Sequence, residues 1–367
     1  MKLRCDRDTL SEALQTAQRG VSTRPGIPAL TGVLLSASGG ELALTTTDLE
    51  VTTEITLAVD VREEGSALVP ARLLADMVKA LPPDAVDFET DGSQAKVICR
   101  SFEGTLRCLA AEDFPAVRDV EGVRVTVQAE AFGEGVGQVT RAASRDEARP
   151  VLTGVLMEAN REGLTMVATD SYRLAIREVQ ATGQGEAKAL VPERALSEAG
   201  RAAVGEEKGE VEILLGQSQA AFRVGTLRLT SRLIDGEFPN YRQLLPEPGE
   251  NRLSADRQDL LEAVRRVGLL ARESSPVRLE LNALGVRLTS SSPDLGGAVE
   301  AVEASYEGEE LTAAFNPGYF GDGLSGVTTD RVRVEFRDGL KPALIRGDGQ
   351  DSFTYLVMPV KLPAPVG

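Results

Sequence analysis

The chain has 367 residues, which is long for one hydrophobic core and predicts two or three domains. It has no histidine, and Cys5, Cys99 and Cys108 show no paired spacing, so a disulfide framework, a zinc site and histidine-based catalysis are disfavoured; we expect no metal and no cofactor. With 40 basic and 56 acidic residues the net charge is −16, which argues against nucleic acid as a partner unless the basic residues are segregated on one surface.

The N-terminus and the apolar runs predict a cytoplasmic protein without a membrane partner. No apolar run approaches the ~20 residues that span a bilayer. The first ten residues, MKLRCDRDTL, carry charges where a signal peptide has its apolar stretch.

The elements of the first 120 residues are predicted in the order helix, strands, helix, strands. Leu10, Ala13, Leu14 and Ala17 form one apolar stripe at helical spacing. Alternating β-branched residues follow in LALTTTDLEVTTEITLAV, then a helix after a Val-Pro pair, then strands such as AKVICRSFEGTLRCLA. This order predicts an α+β domain with two helices packed on antiparallel sheet.

The same order recurs twice along the chain. LTGVL occurs at Leu30–Leu34 and, 122 residues later, at Leu152–Leu156. VPARLLADMVKAL and VPERALSEAGRAA have the same offset, and GELALTTTD is echoed by GLTMVATD and GVRLTSSSPD. A period of this length is the size of a domain. We therefore predict three homologous domains at residues 1–120, 121–249 and 250–367, the last with a short Pro-rich tail.

The later helices differ in how well the sequence supports them. In the third copy, Leu260, Ala263, Val264 and Val267 repeat the apolar stripe of the first helix. Two other helices are predicted to be weak. In the second copy Phe132, Val136 and Val139 fit a helix that glycines interrupt. The last inner helix is also predicted to be weak, because it contains Pro317, Gly318, Gly321, Gly323 and Gly326.

Several motifs, in this order, resemble the bacterial sliding clamp, the β subunit of the DNA polymerase III holoenzyme. They are the two copies of LTGVL after an Arg-Pro, ATDSYRLA from Ala168, FPNYRQLLP from Phe238, FNPGY from Phe315 and YLVMPVKL from Tyr355. The resemblance covers the whole chain. It implies a non-catalytic processivity factor whose head-to-tail homodimer forms a ring of six clamp domains around duplex DNA. The implied partners are DNA without sequence preference, the replicative polymerase, the clamp loader and other replication and repair proteins.

The resemblance also implies three sets of site residues. Basic residues on inner helices and nearby loops would contact DNA phosphates: Arg7, Arg19, Arg24, Lys79, Arg141, Arg145, Arg149, Arg201, Arg265 and Arg266. A partner-peptide pocket would be lined by Leu152, Thr169, Ser171, Tyr172, Arg173, Leu174, Pro239, Gln243, Leu244, Asn316, Tyr319, Leu340, Pro342, Leu356, Met358, Pro359, Val360, Lys361 and Leu362. The dimer contact would include Leu269 and Leu270.

The chain departs from the family at three places near that pocket. Ser171 and Tyr172 stand where other members often have Gly-His, and Gln243 stands where they often have Arg. The chain runs on after Leu362 for five residues, in which proline is frequent and for which we expect disorder.

Two other functions compete with this interpretation. Asp48, Asp170 and Asp294 recur once per copy and suggest a metal-dependent enzyme, but metal catalysis usually needs clustered carboxylates, and an Asp at a strand end more often makes a local turn. A triplicated acidic protein-binding scaffold without DNA encirclement explains the repeat and the charge. It does not explain the arginines of the predicted inner helices.

Overall fold

The computed structural model describes residues 1–22, 26–183, 185–206, 208–247, 249–271, 276–292, 294 and 296–361. Within these residues the chain has three stretches, each with nine strands and two α-helices in the same order. This confirms the predicted α+β class. None of the helices in these ranges has the length and apolar character that crossing a membrane requires.

The elements of the three stretches correspond one to one. The first contains β1 (Lys2–Asp6), α1 (Arg7–Gln18), β2 (Gly32–Ser38), β3 (Glu41–Thr47), β4 (Val51–Ala58), β5 (Asp60–Glu63), β6 (Gly65–Pro70), α2 (Ala71–Ala80), β7 (Ala85–Thr90), β8 (Gln94–Cys99) and β9 (Phe102–Arg107). The second contains β10 (Val123–Gln128), α3 (Ala129–Val139), β11 (Gly154–Ala159), β12 (Leu164–Thr169), β13 (Arg173–Val179), β14 (Ala181–Gly183), β15 (Ala187–Pro192), α4 (Glu193–Val204), β16 (Glu210–Leu215), β17 (Gln219–Val224) and β18 (Leu227–Arg232). The third contains β19 (Asn251–Asp256), α5 (Arg257–Gly268), β20 (Val277–Asn282), β21 (Gly285–Ser292), β22 (Gly296–Val302), β23 (Ala304–Glu307), β24 (Leu311–Phe315), α6 (Pro317–Gly326), β25 (Arg331–Phe336), β26 (Ala343–Gly347) and β27 (Gln350–Val357).

The predicted stripes of the first helices are confirmed. The four apolar residues of α1 and the four of α5 are all buried. Asp6 and Asp256 cap these helices by accepting a hydrogen bond from the backbone three residues later. The sequence therefore positions both helices through one apolar face and one N-cap.

Helices α3 and α6 both form, against the prediction that they are weak, and three of their glycines are sites of close packing. A Cβ built on Gly135 would lie 2.6 Å from Met166 Cε, one on Gly323 would lie 2.5 Å from Tyr355 Cδ1, and one on Gly326 would lie 2.6 Å from Phe353 Cζ. Burial of the apolar face then stabilises a helix that local propensity disfavours. In α6 the Asn316 side chain also caps the first turn.

The cysteines are free thiols, as predicted. Cys5 and Cys99 are buried in the core, but Cys108 is only half-buried. The Sγ of Cys108 lies 3.6 Å from the hydroxyl oxygen of Thr90.

Contacts divide the chain into two compact units: residues 1–130 with 201–233, and residues 131–200 with 234 onward. The first unit contains a sheet in the order β5-β1-β7-β8-β9 and a second run in the order β10-β16-β17-β18-β4-β3-β2-β6. Strands from the first and second copies meet there: β18 pairs antiparallel with β4, with Leu227 opposite Ile55 and Ser231 opposite Val51. The copies are thus joined through one continuous sheet.

The second unit repeats this junction between the second and third copies. Its long sheet has the order β15-β11-β12-β13-β27-β26-β25-β19-β23, and β13 pairs antiparallel with β27, with Arg173 opposite Val357 and Arg177 opposite Phe353. A separate sheet has the order β22-β21-β20-β24. Large buried rings, among them Phe315 and Phe320 with centroids 5.1 Å apart, fill the core of this unit.

Two of the strands at sheet edges have counterparts that pair between copies. β9 is the counterpart of β18 and β27, and β22 is the counterpart of β4 and β13. In the described part of the chain each has one hydrogen-bonded neighbour, β8 for β9 and β21 for β22.

Candidate functional site

A tight turn at residues 169–173 starts strand β13 and exposes Tyr172. The hydroxyl of Thr169 donates to the Arg173 carbonyl (2.6 Å), and Asp170 Oδ1 accepts from the backbone N–H groups of Tyr172 and Arg173 (2.9 and 3.0 Å). Ser171 has φ of +81°. The same bonds recur in the first copy at Thr47–Val51, where Leu49 has φ of +77°.

These turns account for two of the three recurring aspartates. The carboxylates of Asp48 and Asp170 serve the backbone of their own loops, as expected for an Asp at a strand end. The described residues contain no group of three acidic or cysteine side chains placed to hold a metal ion.

Arg173 is held rigidly beside the turn. Its Nε donates to Asp170 Oδ2 (2.9 Å), its terminal nitrogen pairs with Asp322, and its guanidinium lies 4.4 Å from the Tyr319 ring centroid. Burial disfavours the charged guanidinium, but its hydrogen-bonding neighbours outweigh this effect and raise its pKa. The side chain is therefore a fixed cation, 12% exposed.

Strand pairing brings the two halves of the predicted pocket together. Leu174 lies opposite Leu356 on β27, and the N–H of Met358 donates to the Tyr172 carbonyl (2.8 Å). The N–H of Val360 donates to the Ala314 carbonyl (2.7 Å), which holds the end of the described chain against the strand before α6. The rings of Tyr172 and Tyr319 stack at 6.3 Å.

The predicted pocket residues divide into a buried floor and an exposed rim, which together we call the groove. The floor residues are buried: Leu152, Thr169, Leu174 and Leu356. The exposed large apolar residues of the rim are Tyr172, Leu244, Leu340, Met358 and Val360. Ser171, Pro239, Gln243 and Lys361 are exposed, and Arg173, Asn316, Tyr319, Pro342 and Pro359 are half-buried. Leu362 lies outside the described residues.

Arg242, which precedes Gln243 in the chain, is bound to a carboxylate. Arg242 donates to Glu158 Oε2 at 2.8 Å, and so does the Tyr241 hydroxyl. Burial raises the pKa of Glu158, but these two hydrogen bonds outweigh burial and hold the pKa below its usual value. Arg242 therefore does not replace the missing arginine at position 243 as a free cation.

Two of the predicted DNA-binding arginines line a cavity of about 200 Å³ with Arg173. Arg141 and Arg145 line it together with the acidic residues Glu193 and Asp322. Asp322 Oδ1 lies 3.8 Å from Arg141 Nη1, so this carboxylate is shared between Arg141 and Arg173. Asp322 is not among the predicted site residues; its one signal in the sequence is that it is a single acid in an otherwise Gly-rich helix.

The other candidates for DNA binding are placed as follows. Arg149 is exposed, pairs with Asp146 (3.0 Å) and donates to the Ser171 hydroxyl (3.1 Å). Arg265 and Arg266 lie in the last turn of α5, where Arg266 is bound by Glu262 and by both oxygens of Glu300. Of the candidates in the first unit, Arg19, Lys79 and Arg201 are exposed, and Arg7 is half-buried and pairs with Asp8. Arg24 lies outside the described residues.

The predicted dimer residues differ in exposure. Leu269 is 79% exposed and follows α5 as its C-cap, whereas Leu270 is half-buried. Single exposed apolar residues are common on protein surfaces, so the dimer contact of Leu269 and Leu270 stays a prediction.

Comparison with known proteins agrees with this architecture. Family models for the DNA polymerase III beta subunit match residues 1–118 (N-terminal domain), 126–240 (central domain) and 242–361 (C-terminal domain). The beta sliding clamp of Streptomyces coelicolor is 37% identical over 99% of this chain and 100% of its own length, and that of Synechococcus elongatus is 34% identical over the same shares.

Solved structures give the same result. A sliding clamp from Pseudomonas aeruginosa bound to griselimycin has a TM-score of 0.94 at 33% identity, covering 99% of this chain and 100% of that one. A sliding clamp from Bacillus subtilis has a TM-score of 0.93 at 28% identity with the same coverage.

Three α+β copies joined by shared sheets, with a groove beside the last junction, define the class of DNA polymerase processivity clamps. The chain belongs to the DNA polymerase III beta subunit family, the bacterial sliding clamps.

Proposed function

We propose that two copies of this chain form a head-to-tail ring that encircles duplex DNA, slides along it without reading sequence and tethers the replicative polymerase and other replication and repair proteins through the groove. In this proposal the clamp loader opens the ring and the chain itself catalyses nothing. The domain limits 1–120, 121–249 and 250–367 stay predictions within it.

The two edge strands carry the ring proposal. The junction between copies occurs twice within the chain, as β4 with β18 and as β13 with β27. β22 and β9 are the counterparts left at edges in the described residues. Pairing β22 of one chain with β9 of another repeats the junction for a third time, and doing so at both ends closes the ring. Leu269 and Leu270 follow α5, whose Arg266 is paired with Glu300 of β22.

The charge distribution supports DNA contact that is weak and general. Lys79, Arg141, Arg201 and Arg265 are exposed on or next to helices, although the chain as a whole is acidic. Contacts of this kind to phosphates carry no sequence information, and their electrostatic attraction lets a protein slide along DNA. An acidic remainder keeps DNA from binding elsewhere.

Retention on circular DNA tests encirclement. The labelled protein is placed on a nicked circle by a clamp loader, and half of the sample is then cut once with a restriction enzyme. We expect it to remain on the circle and to leave the linear DNA through its free ends. Equal loss from both, set only by salt, would mean that the protein binds DNA as an ordinary electrostatic ligand, and the ring would be wrong.

The groove is proposed as the site of an extended apolar peptide motif. Its floor is apolar, its rim carries two stacked tyrosines and a flexible Met358, and Arg173 and exposed backbone groups offer polar contacts. Ser171 and Gln243 would alter which peptides bind best.

Peptide affinity tests the groove. Met358→Asp places a charge on the apolar rim, so we expect at least about a tenfold loss of affinity for a fluorescent peptide with the polymerase's clamp-binding motif. Leu284→Asp, at an exposed turn in the same unit, is the matched control. Leu174 is unsuited to this test because it is buried in the core. Equal affinities for both variants would refute the assignment.

A further inference from the structure

Three arginines of the second copy lie together on a surface that has no role in the proposed ring or in the groove. Arg124 on β10, Arg223 on β17 and Arg228 on β18 surround a depression of about 250 Å³, together with Asp119 and Glu212. Its floor is formed by Val120, Leu214 and Ala221. We call this surface the arginine bowl.

Two of the three arginines in the bowl are in ion pairs, and Arg223 is the third. Arg228 donates to Asp119 Oδ1 at 2.6 Å, and Arg124 lies 3.2 Å from Glu212 Oε2. The guanidinium of Arg223 has no hydrogen bond or ion pair with any residue that the structure describes. The bowl therefore has three positive and two negative side chains on the surface of a chain whose net charge is −16.

The register of the sheet places both like and opposite charges beside Arg223. Arg223 lies directly opposite Arg228 on β18 and directly opposite Glu212 on β16, but the Glu212 carboxylate pairs with Arg124. Arg228 lies opposite Glu54 on β4. Like charges at directly opposite positions destabilise an antiparallel pair, and an anion between the two guanidinium groups would remove the part of that repulsion that the neighbouring glutamates leave.

Asp119 indicates which kind of anion the arginine bowl can bind. It lies in the irregular segment before β10, its side chain is 86% exposed, and its carboxylate reaches into the bowl to bind Arg228. Arginine and carboxylate form charge-assisted, often two-pronged hydrogen bonds. A carboxylate of the chain itself thus binds one arginine, while the neighbouring Arg223 pairs with no carboxylate in the part of the chain that the structure describes.

We propose that the arginine bowl binds an acidic segment of a partner protein, with one carboxylate on Arg223 and another replacing Asp119 on Arg228. The bowl shares no residue with the groove or with the proposed DNA contacts. It gives the chain a second docking surface, selective for glutamate- or aspartate-rich chains.

The test uses the full chain and a dye-labelled peptide with three glutamates, measured by fluorescence anisotropy at low salt. Arg223→Ala should weaken binding about threefold to fivefold, the range expected for exposed arginine–carboxylate pairs. Asp119→Asn should strengthen binding by a similar factor, because it frees Arg228.

Matched variants separate the bowl from general electrostatics. Arg232→Ala lies on the same strand as Arg228, Asp113→Asn lies in the same segment as Asp119, and Arg265→Ala alters the proposed DNA-facing surface; none should change the affinity. A peptide with glutamines in place of glutamates should not bind. Equal losses for Arg223→Ala and Arg232→Ala, equal gains for Asp119→Asn and Asp113→Asn, or no effect of Asp119→Asn would each overturn the proposal.

Discussion

Ser171 adopts a backbone conformation that most side chains avoid. Its φ of +81° lies in the left-handed region, which glycine enters without steric cost. The turn keeps it there because Thr169 and Asp170 satisfy the surrounding backbone N–H groups. The geometry explains why the family often has glycine at this place.

Ser171→Gly is expected to raise the free energy of unfolding by about 0.5–1 kcal/mol, because it relieves the positive φ and loses only an exposed hydrogen bond from Arg149. Denaturant unfolding of the two proteins gives the difference. Ser171→Ala is the control and should be less stable than the wild type, since it keeps the strain and loses the bond. If Gly and Ala behave alike, the strain is not retained in solution.

The buried thiol of Cys5 is expected to make the folded protein less stable at alkaline pH. Burial, reinforced by the charge of Asp6, raises its pKa from 9.0 to about 11. The unfolded chain therefore loses this proton first, and stability that is complete below about pH 9 is lost as pH rises towards about 11. Cys5→Ala should show a shallower fall of unfolding free energy over that window in urea titrations. Parallel curves for the two proteins would refute the assignment.

Helix α6 shows how packing replaces propensity at the scale of an element. Gly323 lets the helix approach Tyr355, whereas the nearest atom to a Cβ on Gly321 is Leu261 Cδ1 at 3.8 Å, an ordinary contact. The two glycines have the same local propensity but opposite surroundings. Their substitutions should therefore change stability in opposite directions.

Gly323→Ala is expected to lower the free energy of unfolding by about 1–3 kcal/mol through overpacking, and Gly321→Ala to raise it by about 0.5–1 kcal/mol through helix propensity. Thermal unfolding followed by circular dichroism measures both. Two shifts of the same sign would mean that α6 packs differently from this structure.

Sequence patterns predicted α1 and α5 correctly because buried leucines and alanines at helical spacing are a local signal. They underestimated α3 and α6, since the partners of Gly135 and Gly323 lie on distant strands. Asp322 was missed for the same reason: its two arginines come from other elements. The groove was predicted only through resemblance, because Leu174 and Leu356 are 182 residues apart and no periodicity links them.

At the scale of the whole molecule, the exposed edge strand β22 allows a test of the proposed dimer, in which β22 of one chain pairs with β9 of the other. Val299 is 60% exposed on β22, and Leu284 is 93% exposed in the turn between β20 and β21. Val299→Glu places a charge in the proposed junction and should raise the dimer dissociation constant roughly tenfold or more. Sedimentation velocity over a concentration series measures it. Leu284→Glu should leave the constant unchanged; dissociation by both variants, or by neither, would remove β22 from the interface.

The pairing of edge strands also limits how the proposed ring can open. Of its six junctions, four lie within chains, where parting them would unfold a continuous sheet, and two lie between chains. The ring therefore has two identical gates, and DNA needs to pass only one. A covalent crosslink across one gate should leave the ring loadable, whereas crosslinks across both should exclude DNA from an empty ring and retain it permanently in a loaded one.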